Sequence, residues 1–197
     1  MPAIEFWYEF ASTYSYPAAV RVERVAAEKG VAVRWRPFLL GPIFGAQGWN
    51  DSPFNIYPAK GKNMWRDLER ICADLDIPLK QPPFHFPQNG LKAARIALAH
   101  EREPWMPAFS RAVYTANFGE QKDISDDATL TQILSRLGVD AEHATAASNA
   151  AESKQRLKDQ TNEAIARGIY GAPSFTVGDE LFWGNDRLER AVDWALR

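Results

Sequence analysis

Three short segments carry side chains whose types and spacing can do chemistry. The first is Glu9-Phe10-Ala11-Ser12-Thr13-Tyr14-Ser15-Tyr16, a run of hydroxyls where an alternating apolar pattern gives way to a helical one. At such a strand-to-helix junction backbone N–H groups and the helix dipole converge and favour an anion, to which a Ser12 hydroxyl can donate. Equally, Ser12 or Thr13 can be the N-cap of the helix. The second is Gly168-Ile169-Tyr170-Gly171-Ala172-Pro173-Ser174-Phe175, with Pro173 between a glycine-containing turn and a strand start, where the peptide bond is open to either isomer. The third is Phe182-Trp183-Gly184-Asn185-Asp186-Arg187-Leu188, in which Asn185 and Asp186 can hold a ligand ammonium or simply cap the last helix.

Other chemistries are excluded or unsupported. There is 1 cysteine, so the chain can make no internal disulfide, run no Cys-x-x-Cys dithiol cycle and build no zinc knuckle. Cys72 lies on an apolar stripe with Met64, Leu68, Ile71 and Leu75 and reads as a small buried hydrophobe. His85, His100 and His143 form no metal-ligand pattern, and no metal is expected. Lys and Arg number 23 against 25 Asp and Glu, a net charge of −2, which gives no reason to expect a nucleic-acid partner. No apolar stretch approaches the ~18 residues of a membrane span. Met1-Pro2-Ala3-Ile4-Glu5 lacks a basic segment followed by an apolar run, so a cytoplasmic protein with no membrane partner is expected.

The elements that must position the three segments follow from periodicity. Residues 4–10 alternate, with Ile4, Phe6, Tyr8 and Phe10 on one face and Glu5, Trp7 and Glu9 on the other, which predicts a strand. From about Tyr16, Ala18, Val22, Val25 and Ala26 give a helical stripe that Gly30 ends. Val31, Val33 and Trp35 then alternate again, so the opening is a β-α-β unit. The chain closes with Ser174-Phe175-Thr176-Val177 and Glu180-Leu181-Phe182-Trp183 around Gly178-Asp179, a hairpin, and then a helix carrying Leu188, Ala191, Val192 and Ala195. Between them the Met64–Leu75 stripe and residues 90–102, 105–117, 126–137 and about 150–167 read as helices. Residues 77–87, rich in proline and aromatics, read as a loop and a candidate cover for a site. With 197 residues, this is one domain, or one domain carrying an insertion.

In this order and at these spacings the segments resemble the DsbA-like branch of the thioredoxin superfamily. The chain is most similar there to the 2-hydroxychromene-2-carboxylate isomerases and kappa-class glutathione transferases. The resemblance spans essentially the whole length. It rests on Phe10-Ala11-Ser12-Thr13-Tyr14-Ser15-Tyr16, Pro58-Ala59-Lys60-Gly61-Lys62-Asn63-Met64, Gly171-Ala172-Pro173-Ser174-Phe175 and Phe182-Trp183-Gly184-Asn185-Asp186-Arg187-Leu188. It implies an α/β thioredoxin-like fold with an inserted all-helical domain. The thioredoxin-like part would be about 1–58 and 168–197, and the insertion about 59–167. It further implies a glutathione-dependent isomerase acting on a small aromatic-degradation intermediate, as a homodimer. Ser12 would face the glutathione sulfur, within a segment that includes Thr13 and Tyr14. Ala172, before a cis Pro173, would pair with the cysteinyl backbone. Asn185-Asp186 would hold the γ-glutamyl end, and a loop carrying Asn50 and Lys60 would add polar contacts.

A helix N-terminus and a hydroxyl would together lower the thiol pKa, making Ser12 a hydrogen-bond donor and not a covalent nucleophile. An apolar substrate pocket would draw on Trp7, Phe38, Phe44, Trp49, Phe84 and Phe86, about half of them serving only as core packing. The alternatives are a kappa-type transferase or peroxidase, which consumes glutathione, and a non-catalytic DsbA-like thioredoxin-fold protein. Two positions depart from the family pattern. Thr13 stands where proline is common, adding a second hydroxyl, and Asn63 stands where tyrosine is common.

Overall fold

A computed structural model describes residues 1–80 and 85–197. Its centre is a mixed sheet of four strands in the order β2-β1-β3-β4. Strand β1 (Ala3–Tyr8) lies parallel to β2 (Ala32–Pro37), joined to it by helix α1 (Ser15–Ala27). On its other side β1 is antiparallel to β3 (Ser174–Val177), which turns through Gly178-Asp179 into antiparallel β4 (Glu180–Trp183). The positive φ of Gly178 suits a two-residue hairpin turn.

The helices between β2 and β3 are α2 (Leu40–Ala46), α3 (Pro53–Ile56), α4 (Pro58–Asp74), α5 (Leu91–Ala99), α6 (Met106–Tyr114), α7 (Asp127–Arg136), α8 (Ala141–Asn149) and α9 (Ala151–Ala166). A π-helical turn, Thr115–Gly119, extends α6, and a 3-10 turn, Asn185–Arg187, precedes the closing helix α10 (Leu188–Trp194). This is the α/β, thioredoxin-like architecture expected from the sequence. No helix among the described residues is long and apolar enough to cross a membrane.

Strand alternation sorts β1 between two cores. Ile4, Phe6 and Tyr8 enter the large core beneath α1 and the helices that follow β2, where Phe6 stacks on Tyr8 at 5.1 Å and on Phe175 at 5.4 Å. Trp7 points the other way, into a smaller core with Phe38, Ile43, Ala164 and Ile169. There its indole N–H donates to Thr176 Oγ1 at 3.0 Å, and the Arg36 guanidinium lies 4.5 Å above its ring. Burying a Trp this way needs both an apolar bed and a partner for its N–H.

Several elements differ from the sequence reading. β1 stops at Tyr8 rather than 10, although the Phe10 ring still packs into the core, 5.3 Å from that of Tyr114. The stretch 105–117 is two elements, α6 and the π turn. Helices α2, α3 and α8 had no readable signal. The first two are short and contain Gly or Pro, while α8 buries only Ala144 and Ser148 and so has no apolar stripe to read. Trp7 and Phe38, expected in a substrate pocket, are fully buried core residues. Phe84 and part of the 77–87 loop lie outside the described residues.

Candidate active site

Where β1 hands over to α1, the chain makes a tight turn from Glu9 to Tyr14. The Ser12 N–H donates to the Glu9 carbonyl at 3.0 Å, and the N–H groups of Ser15 and Tyr16 donate back to the carbonyls of Ser12 and Thr13 at 3.2 Å each. The α6 end clasps this turn from behind. The Tyr114 hydroxyl donates to the Glu9 carbonyl at 2.9 Å, and Asn117 Nδ2 on the π turn donates to the Phe10 carbonyl at 3.0 Å. A π turn widens the helix locally and lets Asn117 reach sideways, a common device at functional sites.

Neither Ser12 nor Thr13 caps α1 with its side chain. The Ser12 hydroxyl instead crosses to the other end of the chain and donates to the Ala172 carbonyl at 2.8 Å. The Ala172–Pro173 peptide is cis. Its loop is tied to β4 by the Gly184 N–H, which donates to the Pro173 carbonyl at 2.9 Å. A Cβ at Gly171 would lie 2.5 Å from Nε1 of the exposed Trp183 ring, so a larger residue there would have to displace that ring. The Thr13 hydroxyl is buried without a hydrogen-bond partner among the described residues. The Thr13 and Tyr14 N–H groups donate to no acceptor among the described residues, as expected for orphan donors at a helix start.

These groups open onto a cavity of about 1030 Å³, the upper end of the usual range for small-molecule sites. Ser12, Thr13, Tyr14, Asn50, Lys60, Ala172, Pro173, Asn185 and Asp186 all line it, so the residues expected at the site are brought together. Lys60, expected on a loop, sits in the first turn of α4, its ammonium 5.7 Å from the Phe54 ring. Asn185 and Asp186 do not cap α10. They form the 3-10 turn before it, with Asn185 Oδ1 buried and without a partner among the described residues, and Asp186 exposed and paired with Arg187 at 2.6 Å. Of the expected apolar lining, Phe44, Trp49 and Phe86 are present. Phe44 and Trp49 pack at 5.6 Å, and the exposed rings of Tyr170 and Trp183 form a second aromatic pair at 5.0 Å on the rim.

The site also contains residues to which the sequence reading gave no role. Asp67 accepts a hydrogen bond from the Tyr14 hydroxyl at 3.0 Å. Desolvation, then Asp67 and Asp186, hold that phenol protonated far above its usual range, so its proton is committed to Asp67. The signal was available: Lys60, Met64, Asp67 and Ile71 share one α4 face at helical spacing, and all line the cavity. Glu9 lines it too, and its Oε2 accepts the Ala11 N–H at 2.9 Å. Desolvation raises its carboxyl to about 7, against the lowering effect of the Ala11 and Ser12 N–H groups. A lone carboxylate between Phe6, Tyr8 and Phe10 was the sequence clue. Burial pushes the Cys72 thiol up to about 11, which leaves it inert at neutral pH.

Comparison with known proteins agrees with this geometry. Residues 3–193 match the family model for the DSBA-like thioredoxin domain. A 2-hydroxychromene-2-carboxylate isomerase from Sphingobium xenophagum is 31% identical over 98% of this chain and 97% of its own. Glutathione S-transferase kappa 1 of Caenorhabditis elegans is 27% identical over 98% of this chain and 90% of its own. Among solved structures, a 2-hydroxychromene-2-carboxylate isomerase superposes with a TM-score of 0.86 at 25% identity, covering 98% of this chain and 94% of that one.

Proposed function

The chain belongs to the DSBA-like thioredoxin domain family, in the group that includes 2-hydroxychromene-2-carboxylate isomerases and kappa glutathione transferases, and we propose that it is a glutathione-dependent isomerase of a small aromatic acid. The observation that carries this reading is the meeting of the Ser12 hydroxyl with the cis Ala172–Pro173 peptide, at 2.8 Å, on the wall of a large and partly aromatic cavity.

The residues present fit glutathione. The buried, unpartnered Asn185 Oδ1 is an acceptor in want of a donor, and with the Asp186 carboxylate it suits the ammonium of a γ-glutamyl group. In this reading Ser12 turns away from the Ala172 carbonyl, and the Ala172 backbone pairs with the cysteinyl peptide. Ser12 Oγ and the free N–H groups of Thr13 and Tyr14 supply donors for an anion. Lys60 and Asn50, which also line the cavity, supply further polar contacts. Bound glutathione supplies a thiolate that adds reversibly to a conjugated carbonyl system. The task of Ser12 is to donate one hydrogen bond to the sulfur and keep it ionised near neutral pH. The Phe44–Trp49 wall offers an apolar bed for the aromatic ring and excludes water from it. The reading carries with it a cytoplasmic homodimer.

The kappa transferase relative keeps a second reading in view, in which glutathione is consumed. Calorimetric titration with glutathione, beside Ser12→Ala, tests the site. Turnover of 2-hydroxychromene-2-carboxylate, with glutathione recovered unchanged, separates isomerase from transferase. Absence of glutathione binding at millimolar concentration overturns the assignment.

A further inference from the structure

Glu9 is the one cavity-lining carboxyl that belongs to the Ser12 turn itself. Its carboxylate is braced on one side by the Ala11 N–H at 2.9 Å. On another side Gly90 approaches so closely that a Cβ there would fall 2.7 Å from Phe10 Cβ and 3.4 Å from Glu9 Oε1. Among the described residues no Lys, Arg or His is within ion-pair distance of it. The titratable neighbours from the packed elements are Tyr8 of β1 and Tyr114 of α6, and desolvation keeps both phenols protonated well above their usual range. Tyr14, Asp67, Asp186 and Lys60 are other titratable groups on the cavity wall. A second anion placed beside Ser12 would therefore face an uncompensated carboxylate, and two like charges in one site share a proton rather than both ionise.

We propose that the Glu9 carboxyl is the proton store of the Ser12 site, taking up the proton that a thiol surrenders when it binds there. The S–H bond breaks, an O–H bond forms on Glu9, and the proton stays in the cavity. The site then holds a thiolate and a neutral acid, with no net change of charge. This rests on the reading that glutathione binds at Ser12. It adds a residue that carries the proton, which Ser12, a donor only, cannot do. Either charge state of Glu9 leaves an oxygen to accept the Ala11 N–H, so the turn stays assembled as the proton arrives.

The test is the number of protons exchanged on glutathione binding, read by titration calorimetry in buffers of different ionisation enthalpy, at pH 6 and pH 8. At pH 8 Glu9 starts ionised in the free protein and absorbs the thiol proton, so wild type releases close to none. Glu9→Gln, with no site for that proton, releases most of one, since a free thiol with a pKa of about 8.5 is still largely protonated. At pH 6 Glu9 starts protonated, and both proteins release about one. Thiolate absorbance in the ultraviolet confirms ionisation in each complex. Should Glu9→Gln not fold, wild type alone decides. A fall from about one proton at pH 6 to near none at pH 8 supports the proposal, and nearly equal release at both values overturns it. Binding with no thiolate formed, or equal proton release by wild type and Glu9→Gln at pH 8, also overturns it and leaves glutathione recognition intact. No binding by any variant removes the function reading, and this inference with it.

Discussion

Replacing Glu9 by glutamine changes the pH dependence of stability in a way the structure fixes in sign and size. Burial raises the Glu9 carboxyl from 4.5 to about 7 in the folded protein. Between those values the folded state holds a proton that the unfolded state has lost. Stability contributed by the neutral acid is therefore full below pH 4.5, declines as pH rises, and is gone above about pH 7. At about 1.4 kcal/mol per pH unit the loss is about 3.5 kcal/mol, trimmed toward about 2–3 kcal/mol by the solvent that reaches Glu9 through the cavity. Glutamine keeps an acceptor for the Ala11 N–H and carries no charge. Its stability lacks this decline, while every other titrating group is common to both proteins. Urea unfolding of wild type and Glu9→Gln at half-unit steps from pH 4.5 to 8.5 measures the difference. The expected result is a gap that widens by about 2–3 kcal/mol in favour of glutamine, most steeply between pH 5 and 7. The intercept also contains the packing difference between the two side chains, so the slope is the quantity to read. Parallel profiles would show that Glu9 is not desolvated in the folded state and refute the reasoning.

Other expectations follow from single contacts. Ser12→Ala lowers kcat for glutathione-dependent turnover by about 10²-fold, the scale for losing one donor to a developing anion, with a smaller change in glutathione affinity. Asp186→Asn weakens glutathione binding about tenfold to a hundredfold by calorimetry, because a charge-assisted contact is worth about 1.5–3 kcal/mol. Thr13→Val removes a buried hydroxyl that has no partner while keeping its shape, so denaturant unfolding should register a gain of up to about 1 kcal/mol. Gly61→Ala would put a Cβ 2.1 Å from the Phe54 carbonyl oxygen and push α3 off α4. It should lower Tm by several degrees, the result of about 1–3 kcal/mol of overpacking, and a wild-type Tm would contradict the close approach.

The elements themselves were legible in the sequence because their patterns are local. Alternation in residues 4–10, the 3.6-residue stripes of α1 and α4, and the Gly178-Asp179 turn each state a backbone conformation within a few residues, and each element is found there. Where periodicity is absent, as in α2, α3 and α8, the sequence is silent, since short helices without an apolar face are held by their neighbours and not by their own pattern. Residue types at the three chemical segments also pointed to one cavity, and the single cysteine excluded dithiol chemistry before any fold was known. Contact was another matter. That Ser12 meets Ala172, 160 positions away, that Tyr114 and Asn117 hold the turn from behind, and that Trp7 and Phe38 belong to a second core while Phe44 and Trp49 face the cavity are all decided by how the sheet and helices pack. The Glu9 carboxyl shows the division most plainly. Its place in an aromatic strand end is written in the sequence. Its charge state is set by desolvation, which exists only when the segments around it have closed in three dimensions.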